Sequence, residues 1–347
     1  MRFSRMITTV SMHAEGAHNE VIIGGVINVP GKTMFDKAQF LEKSQDELRQ
    51  FLLHEPRGKV IQCVNLVLPS SMPEVDAGYI IMESASYPPM SGTNTISTVT
   101  ALLETGTLKM EEPYTSLTLE APGGLVKVHA ECQDGCCTRV TFENVPCLVF
   151  GLDLALDVPG LGTIRVDVAY GGMIYVIVDA EQVGLPLEPS RARALVEVGE
   201  RIKAAAAAQI PAVHPENPLI HTVNQTLFAG PLMRDDQGRL TARNTVIVSP
   251  GRLDRSPCGT GTSARLAVMH ARGQIGLGEP FVHESIIGTR FTGEIRKTVS
   301  IGGRSGIVPI ISGRAWVTGF HNHVLDPTDP LPTGYRLGDT WPMNGAA

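Results

Sequence analysis

Two stretches of the chain repeat one arrangement of small residues that carry hydroxyl or thiol groups. The first reads MSGTNTISTVTALLETG over residues 90–106, and the second reads PCGTGTSARLAVMHARG over residues 257–273. At a constant spacing, Ser91 pairs with Cys258, and a Gly-Thr dipeptide follows each of them. An apolar run and a closing glycine then follow, which is typical of a helix. The repetition predicts two related half-proteins, each presenting a nucleophile-type side chain at a helix start.

A helix start favours acid–base chemistry on an anionic substrate. The first backbone N–H groups have no partner within the helix, and the helix dipole makes this end positive. A carboxylate can therefore bind at the Gly-Thr dipeptide of either copy. The same potential predicts a lowered pKa for the Cys258 thiol, which would then serve as nucleophile or base. Ser91 is a much weaker acid, and no histidine in its own stretch supplies a base.

Either stretch alone is also compatible with an ordinary N-cap and glycine turn that only begin a helix. The matched spacing of the two copies extends to the closing glycines, Gly106 and Gly273. This match favours a functional pair over two unrelated caps.

Hydrophobic spacing indicates how the rest of the chain positions these stretches. It predicts a helix over 34–54, and Ser190 is suited to cap a second helix over 191–209. A strand over Thr245–Ser249 leads towards the second stretch. We expect a first lobe of residues 1–149 plus about 305–347, carrying Ser91, and a second lobe of residues 150–304, carrying Cys258.

A group of three cysteines and one histidine near residue 134 superficially resembles a metal site, but its spacing matches no zinc pattern. A strand–turn–strand with Asp134-Gly135 at its tip explains the same residues more simply. We therefore expect no metal site in this chain.

Composition excludes several classes of protein. The 347 residues suffice for two domains, and the 43% hydrophobic and 18% charged content is that of a soluble globular protein. A net charge of −6 offers no basic surface for nucleic acid or an anionic membrane. Six unevenly placed cysteines do not suggest a disulfide scaffold, and no signal peptide or membrane span is evident. We expect a cytoplasmic protein with a small-molecule substrate, no nucleic-acid or membrane partner, and a homodimer as the candidate assembly.

The two stretches resemble the catalytic motifs of the proline racemase family. DRSPCGTGTSAR at 254–265 is very similar to the second motif, and MSGTNTI at 90–96 resembles the first, commonly written M-C-G-H-G-T-I. Shorter matches cover almost the whole chain, namely HAEG (13–16), APGGLV (121–126), YGGM (170–173), GTRFTG (288–293) and GRAWVTG (313–319).

The resemblance implies an α+β fold of two pseudo-symmetric lobes like that of diaminopimelate epimerase. Each lobe would be a mixed sheet around a central helix, with the active site in the cleft between the lobes. The resemblance also implies catalysis without a metal or an organic cofactor.

The family's site residues carry over by position. Cys258 matches the second catalytic cysteine, and Asp254 matches the acid that contacts the substrate ring amine. Ser91 stands where the first catalytic cysteine would be. The expected donors to the substrate carboxylate are Gly92, Thr93, Gly259 and Thr260. Two departures are Ser91 in place of cysteine and Thr93 in place of the usual histidine.

Ser91 shifts the expected chemistry, because racemases of this family use two thiols on opposite faces of the substrate. Members with Thr or Ser at the first position are associated with dehydration of trans-3-hydroxy-L-proline. In that substrate the hydroxyl and the α-hydrogen share a face, so one thiol can remove the proton and then protonate the departing hydroxyl.

We therefore predict a cofactor-independent dehydratase that forms 1-pyrroline-2-carboxylate, with Cys258 as both base and acid. The alternatives are a 4-hydroxyproline 2-epimerase, or a bifunctional enzyme, and a non-catalytic protein that binds proline-like amino acids. A cysteine hydrolase is a further rival, which would need a histidine partner for Cys258.

Overall fold

The computed structural model describes residues 3–248, 251–338 and 340–341. The chain divides into two compact units: unit 1 is Met1–Phe142 with Gly313–Ala347, and unit 2 is Glu143–Ser312. Both mix helices with strands, which confirms the α+β class. The expected lobes, residues 1–149 plus about 305–347 and residues 150–304, stay a prediction.

Unit 1 is a mixed sheet with one buried helix and two peripheral helices. Its elements are β1 Arg5–Ala14, β2 Ala17–Gly24, α1 Met34–Ser44, α2 Glu47–Leu53, β3 Cys63–Leu68, β4 Ala77–Met82, α3 Gly92–Glu104, β5 Tyr114–Ala121, β6 Gly124–Gln133, β7 Cys136–Glu143 and, from the end of the chain, β20 Ala315–Leu325. The strands pair in the order β20-β1-β2-β3-β4-β5-β6-β7. The β2–β3 and β4–β5 pairs are parallel, and the others are antiparallel.

Helix α3 is the central helix of unit 1. Every residue from Gly92 to Leu103 is buried, and the helix contacts β1, β2, β3 and β20. A helix that buries all of its faces must lie inside a core. Helices α1 and α2 form a separate apolar core with residues of β3 and β4.

The prediction of a single helix over 34–54 is wrong, because the structure has two helices, α1 and α2, in this range. A capping box of Thr33 and Asp36 begins α1, and the helix ends where Gln45 leaves the helical region at φ −143°. The Asp46 carboxylate then accepts hydrogen bonds from the Arg49 guanidinium and from Gln50. These local contacts start α2 as a separate helix.

Unit 2 is a closed ring of strands around a second buried helix. Its elements are β8 Cys147–Val158, β9 Gly162–Tyr170, β10 Ile174–Asp179, α4 Ala192–Gln209, β11 Val213–His214, β12 Asn217–His221, β13 Gln225–Ala229, β14 Met233–Arg234, β15 Leu240–Val248, β16 Arg252–Leu253, α5 Gly259–Ala271, β17 Phe281–Glu284, β18 Arg290–Ile301 and β19 Arg304–Gly313. The ring runs β8-β9-β10-β13-β15-β17-β18-β19 and returns to β8.

Helix α5 is the central helix of unit 2 and contacts β8, β9, β10 and β18. Helix α4 packs on a separate apolar core. The N-cap predicted at Ser190 is wrong, because Ser190 lies in a 3₁₀ turn and its hydroxyl donates to Glu188 Oε2. Helix α4 therefore begins at Ala192.

The strand predicted over Thr245–Ser249 is confirmed as far as Val248, where β15 ends, and Ser249 lies outside the described residues.

The two units repeat one topology. In unit 1, the antiparallel pair β1–β2 is followed by helices and by β3, which is parallel to β2; then come β4, antiparallel to β3, the central helix α3, and β5, parallel to β4. In unit 2, β9, β10, β13, β15, α5 and β17 follow one another with the same sequence of pairings. The central helices have equal lengths, and Gly106 and Gly273 follow them with φ of 71° and 68°. The repeated stretches thus produce matching helices with left-handed glycine ends.

Two smaller predictions concern the hairpin and the membrane. Strands β6 and β7 meet at Asp134-Gly135, which confirms the predicted strand–turn–strand. Among helices of the described ranges, none has the length and apolar character that crossing a membrane requires.

Candidate active site

Cys258 lies at the N-cap of α5 in an unusual backbone conformation. Its φ is 66°, in the left-handed region that residues with a side chain rarely adopt. Backbone hydrogen bonds hold it: its N–H donates to Ser256 Oγ at 3.1 Å, and its carbonyl accepts from the N–H of Thr262 at 2.8 Å and from the Thr262 hydroxyl at 2.7 Å. Such strain is characteristic of functional positions. The geometry fixes the direction of the thiol at the start of the helix.

The Cys258 sulfur is surrounded by hydrogen-bond donors. The Gly261 N–H donates to Sγ at 3.3 Å, the Tyr175 hydroxyl lies 3.3 Å away, and the Thr260 hydroxyl lies 3.6 Å away. Tyr175 and Thr260 also contact each other at 2.6 Å between their hydroxyl oxygens. Hydrogen bonds to sulfur stabilise a thiolate more than a neutral thiol. The surroundings are therefore suited to a sulfur that gains and loses a proton.

Tyr175 is a site residue that sequence reasoning missed. It lies on β10, and its side chain is almost fully buried. The sequence signal that could have indicated it is the tyrosine hydroxyl, which is the one polar side-chain group in the otherwise apolar run IYVIV. A buried tyrosine hydroxyl needs a partner, but the sequence does not show which one.

Electrostatics overturn the expectation of an acidic thiol. Burial, and after it the nearby Asp254 carboxylate, raise the pKa of Cys258 to about 12. Hydrogen bonds from Tyr175, Thr260 and Gly261 lower it without offsetting burial. Burial also raises the pKa of Asp254, against hydrogen bonds from Ser256 that lower it. The helix start alone thus does not make Cys258 a thiolate in the free protein.

A glycine turn supports the first turn of α5. A Cβ at Gly171, between β9 and β10, would lie 2.2 Å from the Thr260 carbonyl oxygen. The Asn144 amide donates to the Gly171 carbonyl at 3.0 Å and to Ser263 Oγ at 2.8 Å. The Gly171-Gly172 segment is therefore a strand-end turn packed against the helix that carries Cys258.

Ser91 occupies the equivalent N-cap of α3 with different surroundings. Its hydroxyl accepts from Asn94 Nδ2 at 2.8 Å and lies 3.4 Å from the Thr93 hydroxyl. Tyr79, a buried residue of β4, contacts Thr95 at 2.7 Å between the hydroxyl oxygens. Within the described part of unit 1, the hydrogen-bond partners of the Ser91 hydroxyl are thus neutral groups and not bases.

The structure gives the predicted substrate-binding residues matched local positions. Gly92 and Thr93 open α3, while Gly259 and Thr260 open α5, so their N–H groups lie in first helical turns. Asp254 lies just before α5, where Oδ1 accepts from both the N–H and the hydroxyl of Ser256.

A histidine partner for Cys258, which a cysteine hydrolase needs, is not found in the described part of unit 2. His283 contacts the Thr262 hydroxyl at 2.8 Å between Nδ1 and Oγ1, and the Thr262 hydroxyl donates to the Cys258 carbonyl rather than to the thiol. Burial also lowers the pKa of His283 well below its ordinary value. The contacts of Cys258 do not favour the hydrolase.

The repeated topology, with a central helix in each unit, is that of the diaminopimelate-epimerase-like fold. The PhzF-family phenazine biosynthesis protein of Bacillus anthracis shares this fold, with a TM-score of 0.57 and 13% identity over 92% of this chain and 99% of that one. The model of the proline racemase family matches residues 9–336, and the chain belongs to that family of enzymes.

Two solved structures are much more similar. One is a hydroxyproline epimerase from Agrobacterium vitis with bound trans-4-hydroxy-L-proline; it is 43% identical, covers 98% of each chain and has a TM-score of 0.88. The other is a probable proline racemase from Agrobacterium radiobacter K84 with bound carbonate. It is 41% identical over 96% of this chain and 98% of that one, with a TM-score of 0.87.

Proposed function

We propose that the enzyme dehydrates trans-3-hydroxy-L-proline to 1-pyrroline-2-carboxylate. The observation that carries this proposal is the asymmetry of the two helix starts. Cys258 offers an ionisable sulfur with three hydrogen-bond partners, whereas the Ser91 hydroxyl is bonded to neutral Asn94 and Thr93. One strong acid–base group serves elimination from a single face better than inversion, which needs a group on each face.

In the proposed reaction, Cys258 performs both proton transfers. Its thiolate removes the α-proton, the electrons of that C–H bond form a double bond between Cα and C3, and the C3–O bond breaks. The thiol then gives the proton to the departing hydroxyl, which leaves as water and restores the thiolate. The resulting enamine tautomerises to 1-pyrroline-2-carboxylate, so atoms and charge balance without an oxidant or cofactor.

In the proposed complex, the charged groups of the substrate favour the thiolate form of Cys258, which the raised pKa disfavours in the free protein. We assign the substrate carboxylate to the first-turn N–H groups of the two central helices, at Gly92, Thr93, Gly259 and Thr260, where such groups stabilise negative charge that grows at the carboxylate. We assign the ring ammonium to Asp254. A cation there offsets the carboxylate charge that raises the pKa of Cys258, so binding favours the thiolate.

Ser91 is assigned to the opposite face of the substrate as the weaker catalytic residue. Its hydroxyl can position water or the ring but lacks a basic partner in the described part of unit 1. Dehydration does not need it as a base.

Proton NMR in deuterated water tests the proposal with three substrates: trans-3-hydroxy-L-proline, trans-4-hydroxy-L-proline and L-proline. We expect the pyrroline product from the first, and loss of that activity in Cys258→Ser. Absence of the product together with clear inversion of 4-hydroxyproline would reverse the assignment. Binding without any deuterium entering Cα would instead indicate a non-catalytic amino-acid-binding protein.

Epimerisation of 4-hydroxyproline is the second candidate, and the similarity to the Agrobacterium vitis epimerase favours it. It would require the Ser91 hydroxyl, or a water bound to it, to deliver a proton to the second face. Ser91→Ala distinguishes the two reactions, because dehydration should survive this change and epimerisation should not.

A further inference from the structure

Three potential metal ligands meet on one face of the unit 1 sheet, although they come from opposite ends of the chain. Glu20 lies on β2, and His321 and His323 lie on β20, with β1 between the two strands. One ligand atom from each lies within 4.8 Å of the other two. His321 and His323 are two residues apart on a strand, which places them on the same face.

The middle strand supports this cluster with hydroxyl groups. Ser11 donates to Glu20 Oε1 at 2.5 Å and lies 3.2 Å from His321 Nδ1, and the Thr9 hydroxyl lies 3.2 Å from His323 Nε2. Outer hydrogen bonds of this kind orient metal ligands. The cluster therefore has both the candidate ligands and groups that hold them in place.

Glu20 is the most informative member of the cluster. Only 10% of its side chain is exposed, and Oε2 has no hydrogen-bond partner among the described residues. A buried carboxylate oxygen without a partner is costly, and a metal ion is one partner that removes this cost. His321, by contrast, is 55% exposed, which gives an ion a route from solvent and leaves room for water.

We propose that Glu20, His321 and His323 bind a divalent first-row transition metal ion, with zinc as the reference ion and water completing the coordination. Two imidazoles and one carboxylate suit zinc, cobalt and nickel better than calcium or magnesium, which prefer oxygen ligands. The ion would link β20 to β2 across β1. Its role is structural, because it fastens the last strand of unit 1 to the first hairpin.

The test uses tag-free, metal-stripped protein carrying Cys136→Ser, which removes an exposed free thiol because thiolates are metal ligands. Cobalt absorption and competition with zinc measure stoichiometry and affinity. We expect one ion per chain, at least tenfold weaker binding in Glu20→Gln and in His321→Asn, and a metal-dependent rise in Tm that His321→Asn abolishes. His129→Gln is the matched control, since this exposed histidine lies on β6 of the same unit.

Binding weaker than about 1 mM in the parent protein would overturn the proposal, because such a site would stay empty at ordinary metal concentrations. Unchanged affinity in both Glu20→Gln and His321→Asn, or an equal loss in His129→Gln, would also overturn it. His321 is exposed, so His321→Asn keeps the test decisive if Glu20→Gln does not fold. None of these outcomes depends on the catalytic assignment.

Discussion

Replacing Tyr175 with phenylalanine tests whether its hydroxyl tunes the Cys258 thiol. The change removes the oxygen that lies 3.3 Å from Sγ and 2.6 Å from the Thr260 hydroxyl, and it keeps the aromatic ring in the core. A hydrogen bond to a charged group contributes roughly 1.5–3 kcal/mol, and one pKa unit corresponds to about 1.36 kcal/mol. The pKa of Cys258 should therefore rise by about one to two units in this variant.

The assay is the rate at which Cys258 reacts with a small disulfide reagent, followed by peptide mass spectrometry because other cysteines are present. A rise of one to two units lowers the thiolate fraction about 10- to 100-fold. The remaining thiolate is more nucleophilic, because nucleophilicity increases with thiol pKa with a Brønsted slope of about 0.4–0.5. The observed rate should therefore fall roughly 3- to 16-fold. Dehydration should slow in parallel.

Tyr79→Phe is the matched control for this prediction. Tyr79 is also a buried strand tyrosine bonded to a threonine of a central helix, but this threonine, Thr95, belongs to the Ser91 helix. Its replacement should leave Cys258 reactivity unchanged. Unchanged reactivity in Tyr175→Phe, or an equal loss in both variants, would refute the role given to Tyr175.

Three further predictions concern charge, pH and packing. Asp254→Asn should lower the pKa of Cys258 and speed its reaction with the disulfide reagent, while raising KM for the substrate; slower labelling would contradict this. In the free enzyme, log kcat/KM should rise with pH between 7 and 10, because Cys258 has a pKa of about 12 and its active thiolate fraction increases throughout this range. A pH-independent profile would count against Cys258 as the base. Gly171→Ala should cost about 1–3 kcal/mol of unfolding free energy, because the new Cβ meets the Thr260 carbonyl at 2.2 Å. Calorimetry against Gly276→Ala, where the nearest atom is 4.0 Å away, checks this, and equal losses would contradict it.

Local sequence signals predicted the two helix starts well. The repeated stretches place Ser91 and Cys258 at N-caps, and their closing glycines end both helices as expected. These features depend on neighbouring residues, which a sequence pattern shows directly. The break at Gln45 was missed because the apolar spacing continues through it.

Properties that depend on distant residues were not predictable in the same way. The pKa of Cys258 reflects burial as well as its helix start, and burial has the larger effect. Tyr175 reaches the thiol from β10, far along the chain. Glu20 and His321 are similarly brought close only by the pairing of β20 with β1. A single sequence does not show these contacts because they arise from tertiary packing.

The most direct test of the asymmetric site compares product formation from trans-3-hydroxy-L-proline in Ser91→Ala and Cys258→Ser, measured by NMR in deuterated water. If Cys258 is the single acid–base group, Ser91→Ala should retain pyrroline formation within about tenfold, whereas Cys258→Ser should lose it by at least 100-fold, the usual contribution of a general acid or base. Equal losses in the two variants, or activity that survives in Cys258→Ser, would contradict the central claim.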